Sequence, residues 1–72
     1  MDKPLILIRV GKNVQKYRKQ QNLSQEKLAE YAGLHRTYIG MIERAEKNIT
    51  LTNLDKIAHA LNVELIKLLQ DE

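Results

Sequence analysis

The sequence contains no cysteine, no tryptophan and no phenylalanine, and its 72 residues include only one proline. Without cysteine the chain has no disulfide, thiolate zinc site or thiol nucleophile, and it suits a reducing intracellular compartment. The only continuous apolar run, Leu5 to Ile8, ends at Arg9, far short of the roughly 20 residues that a membrane-spanning helix needs. We therefore expect no membrane span or secretory segment, and we interpret this run as a lead-in that packs on the core.

The length of the chain allows one small domain. A chain of this size buries only about 60% of the surface that its unfolded form exposes, so a large enzyme cleft lined by its own core is difficult to build. We therefore treat residues 1–72 as a single domain and expect a binding module.

The net charge of +3 is unevenly distributed along the chain. Residues 1–48 carry ten Lys or Arg against five Asp or Glu, whereas residues 49–72 carry two against four. A basic larger part followed by an acidic tail is typical of a protein that binds a polyanion, such as nucleic acid, with one side.

Apolar spacing and capping residues predict five short helices. The first helix has an apolar face formed by Leu7, Val10, Val14 and Tyr17. Ser24 is expected to cap the second helix and Gly33 to end it, because glycine adopts a positive φ without strain. The remaining predicted helices cover about residues 35–44, 51–61 (between a Thr50 cap and Asn62) and 64–70. The predicted fold class is therefore all-α, a compact bundle of five helices.

The segment from about residue 24 to residue 44 has the pattern of two helices joined by a tight turn. Ala29 provides a small side chain where the two helices cross, and Gly33 suits the sharp turn between them. Ile39 and Ile42 are expected to anchor the next helix in the core. The residues left facing outward on its first turns are His35, Arg36, Thr37 and Tyr38.

The stretch SQEKLAEYAGLHRTYIGMIER resembles the helix-turn-helix of the Cro and phage-repressor (Xre-type) family. The wider stretch GLHRTYIGMIERAEKNIT is similar to the controller proteins of restriction-modification systems. The resemblance covers about residues 10–69 and implies a lambda-repressor-like domain of five helices. One departure concerns Ala45, which stands where the family commonly has glycine, and alanine is strained at the positive φ of a helix end.

The resemblance implies that the third helix enters the major groove of DNA. Base reading is then assigned to Arg36, Thr37 and Tyr38, of which Arg36 has a planar fork that fits guanine. Contacts to the DNA backbone are assigned to Gln25, His35, Lys47 and Asn48. Arg18 and Glu43 match positions that form a largely buried ion pair in the family.

The resemblance also implies a homodimer on a palindromic operator, because one motif reads too few base pairs for useful specificity. A dimer interface is expected within about residues 49–69, where Ile49, Leu51, Val63 and Ile66 exceed the needs of a small core. For a controller protein, the family implies activation and then repression of its own gene and the endonuclease gene. It further implies contact with RNA polymerase and a location in the bacterial cytoplasm.

Two other functions remain open: a phage-type or chromosomal repressor or antitoxin, and a helical protein-interaction module that uses the same scaffold. An enzyme is disfavoured because Ser24, the one serine, is already explained as a helix cap. The two histidines are far apart in sequence and lack partners at metal-ligand spacing. We therefore expect no enzymatic activity, cofactor, metal site or small-molecule ligand.

Overall fold

A computed structural model describes residues 2–71, and that part of the chain contains five α-helices and no strand. The helices are α1 (Leu5–Gln20), α2 (Gln25–Ala32), α3 (Arg36–Glu43), α4 (Leu51–Leu61) and α5 (Leu65–Leu69). The predicted all-α bundle of five helices is confirmed. None of the helices in this range is long and apolar enough to cross a membrane.

The hydrophobic core receives side chains from every helix. Its largest fully buried members are Val14, Leu28, Ile39, Leu54, Ile57, Leu61 and Leu68. Each such side chain stabilises the fold by about 1.5–3 kcal/mol relative to leaving it in water. Helix α3 packs against both α1 and α2, so one face of α3 is held in the core and its opposite face remains outside.

The predicted helix caps are present. The Ser24 hydroxyl accepts a hydrogen bond from the Lys27 N–H at 2.9 Å. At the start of α4, the Thr50 hydroxyl accepts one from the Asn53 N–H at 3.1 Å. These caps satisfy N–H groups that have no partner within the helix.

Helices α1 to α4 end in the same way, with one residue in the left-handed conformation. These residues are Asn22, Gly33, Ala45 and Asn62, with φ values of 59°, 69°, 58° and 56°. After α3, the Ala45 N–H donates to the Ile42 carbonyl at 3.0 Å, and the Glu46 N–H donates to the Met41 carbonyl at 2.8 Å. This is a Schellman motif. Alanine at position 45 therefore ends α3 as glycine would, with its methyl group buried.

Gly11 lies where α1 closely approaches the backbone of α3, a role that the sequence pattern did not indicate. A Cβ atom on Gly11 would lie 2.5 Å from the Ile42 carbonyl oxygen and 2.8 Å from the Glu43 carbonyl oxygen. Both distances are shorter than real Cβ contacts allow. The absence of a side chain at position 11 therefore sets how closely the last turn of α3 lies against α1.

The expectation for the run Leu5 to Ile8 is wrong. The run forms the first turn of α1 instead of a lead-in to it. Leu5 is 76% exposed and Ile6 is 45% exposed, while Leu7 and Ile8 are partly buried. Successive side chains on a helix point about 100° apart, so four apolar residues in a row cannot all face one core.

The short helix α5 is tied to α1 by Asn13, a buried side chain that apolar periodicity did not identify. The Asn13 amide donates to the Leu68 carbonyl at 3.0 Å and to the Gln70 carbonyl at 2.7 Å. These are carbonyls at the end of α5 that have no partner within the helix. The two bonds hold the C-terminal part of the chain against the middle of α1.

Candidate nucleic-acid interface

Helices α2 and α3 are joined by a turn of three residues, 33–35. Gly33 has a φ of 69°, and the following Leu34 N–H donates to the Ala29 carbonyl at 2.9 Å. Ala29, Ile39 and Ile42 are buried where the two helices meet. The arrangement is a helix-turn-helix in which the first turn of α3 faces solvent.

The exposed start of α3 is formed by three of the residues predicted to contact DNA. Arg36 and Thr37 are the first two residues of the helix, and both are exposed. His35 is the N-cap, and its Nδ1 accepts a hydrogen bond from the Thr37 N–H at 3.2 Å. His35 therefore stabilises the helix start, in addition to its predicted contact with the DNA backbone.

Arg36 forms an ion pair that the sequence analysis did not predict. Its Nη1 lies 3.2 Å from Oε2 of Glu26, which belongs to the first turn of α2, and both side chains are largely exposed. An exposed pair of this kind contributes at most about 1 kcal/mol. The guanidinium can therefore leave Glu26 for a stronger bidentate partner at little cost.

The structure brings Arg18 and Glu43 together and adds Gln25 to the pair. Arg18 Nε donates to Glu43 Oε2 at 2.6 Å, and Arg18 Nη2 donates to Oε1 at 3.0 Å. Gln25 Nε2 donates to the same Oε1 at 3.0 Å. The Glu43 side chain is only 1% exposed, so removing any one partner would leave a buried charge or a buried donor unsatisfied. The ion pair therefore fixes α1, the start of α2 and the end of α3 relative to one another.

Gln25, predicted to contact the DNA backbone, stands at the N-terminus of α2. One of its amide hydrogens is taken by Glu43. Within residues 2–71, its second amide hydrogen and the backbone N–H groups of the first two residues of α2 have no acceptor, because a helix start leaves these groups without intrahelical partners and the Ser24 cap takes only the Lys27 N–H. Such a group of donors suits a phosphate oxygen.

Tyr38 lies half-buried beside the exposed start of α3 and contacts α4. Its hydroxyl accepts a hydrogen bond from Nδ2 of Asn53 at 3.2 Å. Its ring packs against the core, so Tyr38 has a packing role, and base reading by Tyr38 stays a prediction.

The loop between α3 and α4 carries the other predicted backbone contacts. Lys47 and Asn48 are both exposed there. The C-cap of α3, Arg44, is also exposed and pairs with Glu46 at 3.1 Å. The Lys3 ammonium donates to the Arg44 carbonyl. Basic groups therefore flank α3 at both ends, with Arg36 at the first residue and Arg44 and Lys47 at the last turn and beyond.

Comparison with known proteins agrees with this geometry. The helix-turn-helix family model matches residues 14–68. The chain is 57% identical over 60 residues to the control protein C.SmaI from Serratia marcescens, which covers 83% of this chain and 71% of that one. The chain belongs to the helix-turn-helix family that includes the restriction-modification controller proteins.

Solved structures of this helix-turn-helix family superpose closely on the chain. The restriction-modification controller protein C.AhdI from Aeromonas hydrophila has a TM-score of 0.87 and 38% identity, over 90% of this chain and 98% of that one. SinR, a master regulator for biofilm formation solved in complex with DNA, has a TM-score of 0.81 and 34% identity, over 85% and 98%. The sequence resemblance to the Xre-type family, and within it to the controller proteins, is confirmed.

The residues predicted for a dimer interface divide into two groups. Leu51 is 72% exposed and Ile66 is 55% exposed. Ile49 and Val63 are only partly exposed and pack against the core. The expectation that all four exceed the needs of the core is therefore wrong for Ile49 and Val63. Of these four residues, only Leu51 and Ile66 leave a large apolar side chain in water. The interface role of all four stays a prediction.

Within residues 2–71, no group of three or more His, Cys, Asp or Glu side chains is placed to hold a metal ion. The surface between α2 and α3 is an open depression lined by Glu26, Ala29, Glu30, Leu34, His35 and Arg36. Its shape and charged rim suit contact with a large polar surface better than enclosure of a small molecule.

Proposed function

We propose that the protein is a transcription regulator that binds a palindromic operator in double-stranded DNA as a homodimer. The observation that carries this proposal is the placement of α3. The helix has an inner face held by Ile39, Ile42 and the Glu43 ion pair, and it presents Arg36 and Thr37 at its exposed start. A rigidly held helix with its first residues free to reach base edges is the docking geometry of a helix-turn-helix protein.

Each predicted contact has a chemical counterpart on DNA. The Arg36 guanidinium fits the O6 and N7 acceptors of guanine, and the Thr37 methyl group fits the thymine methyl. Tyr38 is the third base reader. Gln25, His35, Lys47 and Asn48 are assigned to phosphate oxygens, which set the position of α3 in the groove without reading sequence.

A dimer would cover two of the large apolar side chains that the fold leaves exposed. Leu51 at the start of α4 and Ile66 in α5 are exposed, and a twofold axis beside them would cover both pairs at once. The two α3 helices would then lie about 34 Å apart, one turn of DNA, and face successive major grooves. The acidic excess of residues 49–72 keeps this interface away from the phosphates.

The similarity to C.SmaI and C.AhdI supports a role as the controller of a restriction-modification system. In that role the protein binds upstream of its own gene and the endonuclease gene in the bacterial cytoplasm, and it acts on RNA polymerase first as an activator and then as a repressor. It has no enzymatic activity in this proposal. A methyltransferase gene and an endonuclease gene beside its own gene would support the controller role. Their absence would favour a phage-type or chromosomal repressor or an antitoxin.

The direct test is selection of bound duplexes from a randomised DNA pool by the purified protein. We expect a palindromic consensus. We also expect the logarithm of affinity to fall linearly with the logarithm of salt concentration, by about 0.9 for each phosphate contact, because each contact releases counterions. A pool that yields no consensus, or an affinity independent of salt, would favour the helical protein-interaction module instead.

The dimer is tested by charge introduction at its proposed interface. Leu51→Asp and Ile66→Asp are expected to convert a dimer to a monomer in analytical ultracentrifugation at micromolar concentration, because a buried unpaired carboxylate is strongly unfavourable. Binding to the selected palindrome should weaken with the loss of the dimer. Leu5→Asp is the matched control, since Leu5 is also a largely exposed apolar side chain but lies in α1. A wild-type monomer, or dimers in all three variants, would contradict the interface.

A further inference from the structure

We propose that Asn53 is a specificity-determining positioning residue, which makes the Tyr38 hydroxyl a hydrogen-bond donor toward DNA. This inference rests on the proposed function, in which α3 lies in the major groove. Nothing in the sequence pattern pointed to Asn53, which stands outside the helix-turn-helix on α4. Its importance comes from one contact between α4 and α3.

Asn53 is held in place independently of Tyr38. It is the third residue of α4, and its backbone N–H is bonded to the hydroxyl of the Thr50 cap at 3.1 Å. The following Leu54 is only 2% exposed and fastens this turn of the helix in the core. The Asn53 side chain is half-buried and therefore extends from a rigid support toward the Tyr38 hydroxyl.

The direction of the hydrogen bond determines what the hydroxyl offers to a ligand. A phenolic hydroxyl has one hydrogen to donate and lone pairs that accept. Asn53 Nδ2 donates to the Tyr38 oxygen at 3.2 Å, so a lone pair is used and the hydrogen is not. Within residues 2–71 this is the only hydrogen bond of the Tyr38 hydroxyl. The hydroxyl hydrogen therefore remains for an acceptor outside the chain.

A hydroxyl that donates in this way distinguishes base edges. In the major groove, guanine N7 and O6, adenine N7 and thymine O4 accept hydrogen bonds, whereas the amino groups of adenine and cytosine donate them. With one lone pair engaged by Asn53 and its hydrogen left to donate, the Tyr38 hydroxyl favours the acceptor positions over the two amino groups. A tyrosine without Asn53 could rotate its hydroxyl and serve as donor or acceptor. Asn53 thus narrows the base preference of Tyr38 by orienting its hydroxyl, without itself reading a base.

The test measures base preference as well as affinity. The full-length protein and its variants are titrated against the duplex selected by the wild type and against duplexes with single base-pair changes under the start of α3. Asn53→Ala removes the donor. Asn53→Asp replaces it with an acceptor of the same shape, which would take the hydroxyl hydrogen. Tyr38→Phe removes the hydroxyl itself and gives the background in which the Asn53 variants are repeated.

We expect Asn53→Ala to reduce discrimination at one base pair about fivefold, which is the value of one ordinary hydrogen bond. Asn53→Asp should abolish that preference or shift it toward an amino group. In the Tyr38→Phe background neither Asn53 variant should alter base preference further, although the added charge of aspartate lowers affinity for all duplexes alike. This comparison separates the effect of hydrogen-bond direction on base preference from the loss of affinity caused by repulsion between the carboxylate and DNA.

The controls keep the inference distinct from the proposed function and from folding. Thermal unfolding of each variant reports stability, and Asn53→Ser, which is too short to reach the Tyr38 hydroxyl, is expected to give the same loss of discrimination as Asn53→Ala. Unchanged base preference in the Ala, Ser and Asp variants that still bind the selected duplex would overturn the inference and leave the proposed function intact. Failure of the wild type to select any sequence would overturn the proposed function itself.

Discussion

Gly11→Ala is expected to destabilise the protein by about 3 kcal/mol, because the added methyl group overlaps the carbonyl oxygens of Ile42 and Glu43. Those oxygens belong to the backbone and cannot swing aside, so α1 must move away from α3. A domain of this size has a total stability of only about 4–11 kcal/mol. The midpoint of thermal unfolding is therefore expected to fall by roughly 12–24 °C, which circular dichroism or calorimetry measures.

Gly40→Ala provides the matched control for this prediction, because Gly40 is also a buried helical glycine. The nearest neighbours of a Cβ atom at position 40 are side-chain atoms, Nη1 of Arg44 at 3.0 Å and Oε1 of Gln25 at 3.3 Å. These side chains can give way, and alanine is favoured over glycine inside a helix by about 0.5–1 kcal/mol. Equal losses of stability in the two variants would show that backbone contact at Gly11 is not the cause.

Arg36→Ala is expected to weaken binding to the selected operator by about 1–3 kcal/mol for each half-site. A symmetric dimer loses the contact twice, so the expected loss is about 30-fold or more. The preference for guanine at the contacted base pair should disappear, while binding to unrelated DNA changes little. Titration of the selected duplex and of duplexes altered at that base pair measures both effects.

Two further variants test this assignment: one separates the shape of the Arg36 side chain from its charge, and the other is a control for the loss of a positive charge. Arg36→Lys retains the charge and loses the planar fork, so it should lower discrimination nearly as much as alanine does. Lys56→Ala removes one exposed charge from α4, far along the chain from the helix-turn-helix, and should leave discrimination unchanged. If Arg36→Ala weakens binding to all duplexes equally, Arg36 contacts phosphate and the assignment to guanine is wrong.

The helix boundaries could be predicted because their causes are local in sequence. Ser24 and Thr50 cap helices by contacting N–H groups three residues later, and Gly33 ends α2 by its own φ. Each of these signals lies within one helical turn of the feature that it determines. The DNA-binding residues could be assigned by resemblance for a similar reason, because the helix-turn-helix is one continuous stretch of sequence.

The Arg18–Glu43 pair followed from the family resemblance, but other contacts that orient the site could not be predicted, because nothing in the local sequence links the two partners. The Asn13 side chain bonds to the Leu68 carbonyl, and the Asn53 side chain bonds to the Tyr38 hydroxyl. Apolar periodicity carries no information about such polar side chains. The Glu26–Arg36 pair joins two surface residues of opposite charge, which any exposed helix carries. In each case the partner becomes evident only when the packing angle between two helices is known.

The Asn13 hydrogen bonds affect which spacing between the two half-sites of an operator the protein can accept. Asn13 ties α5, which carries the proposed dimer contact Ile66, to α1. Two residues earlier on the same helix, Gly11 allows α1 to pack closely against α3. The helix α1 therefore connects the proposed dimer interface to α3, the helix proposed to read the major groove. We expect such a dimer to tolerate base changes between its half-sites but not insertions. Each added base pair rotates one half-site relative to the other by about 35°, and a rigidly connected dimer could not adjust to that rotation.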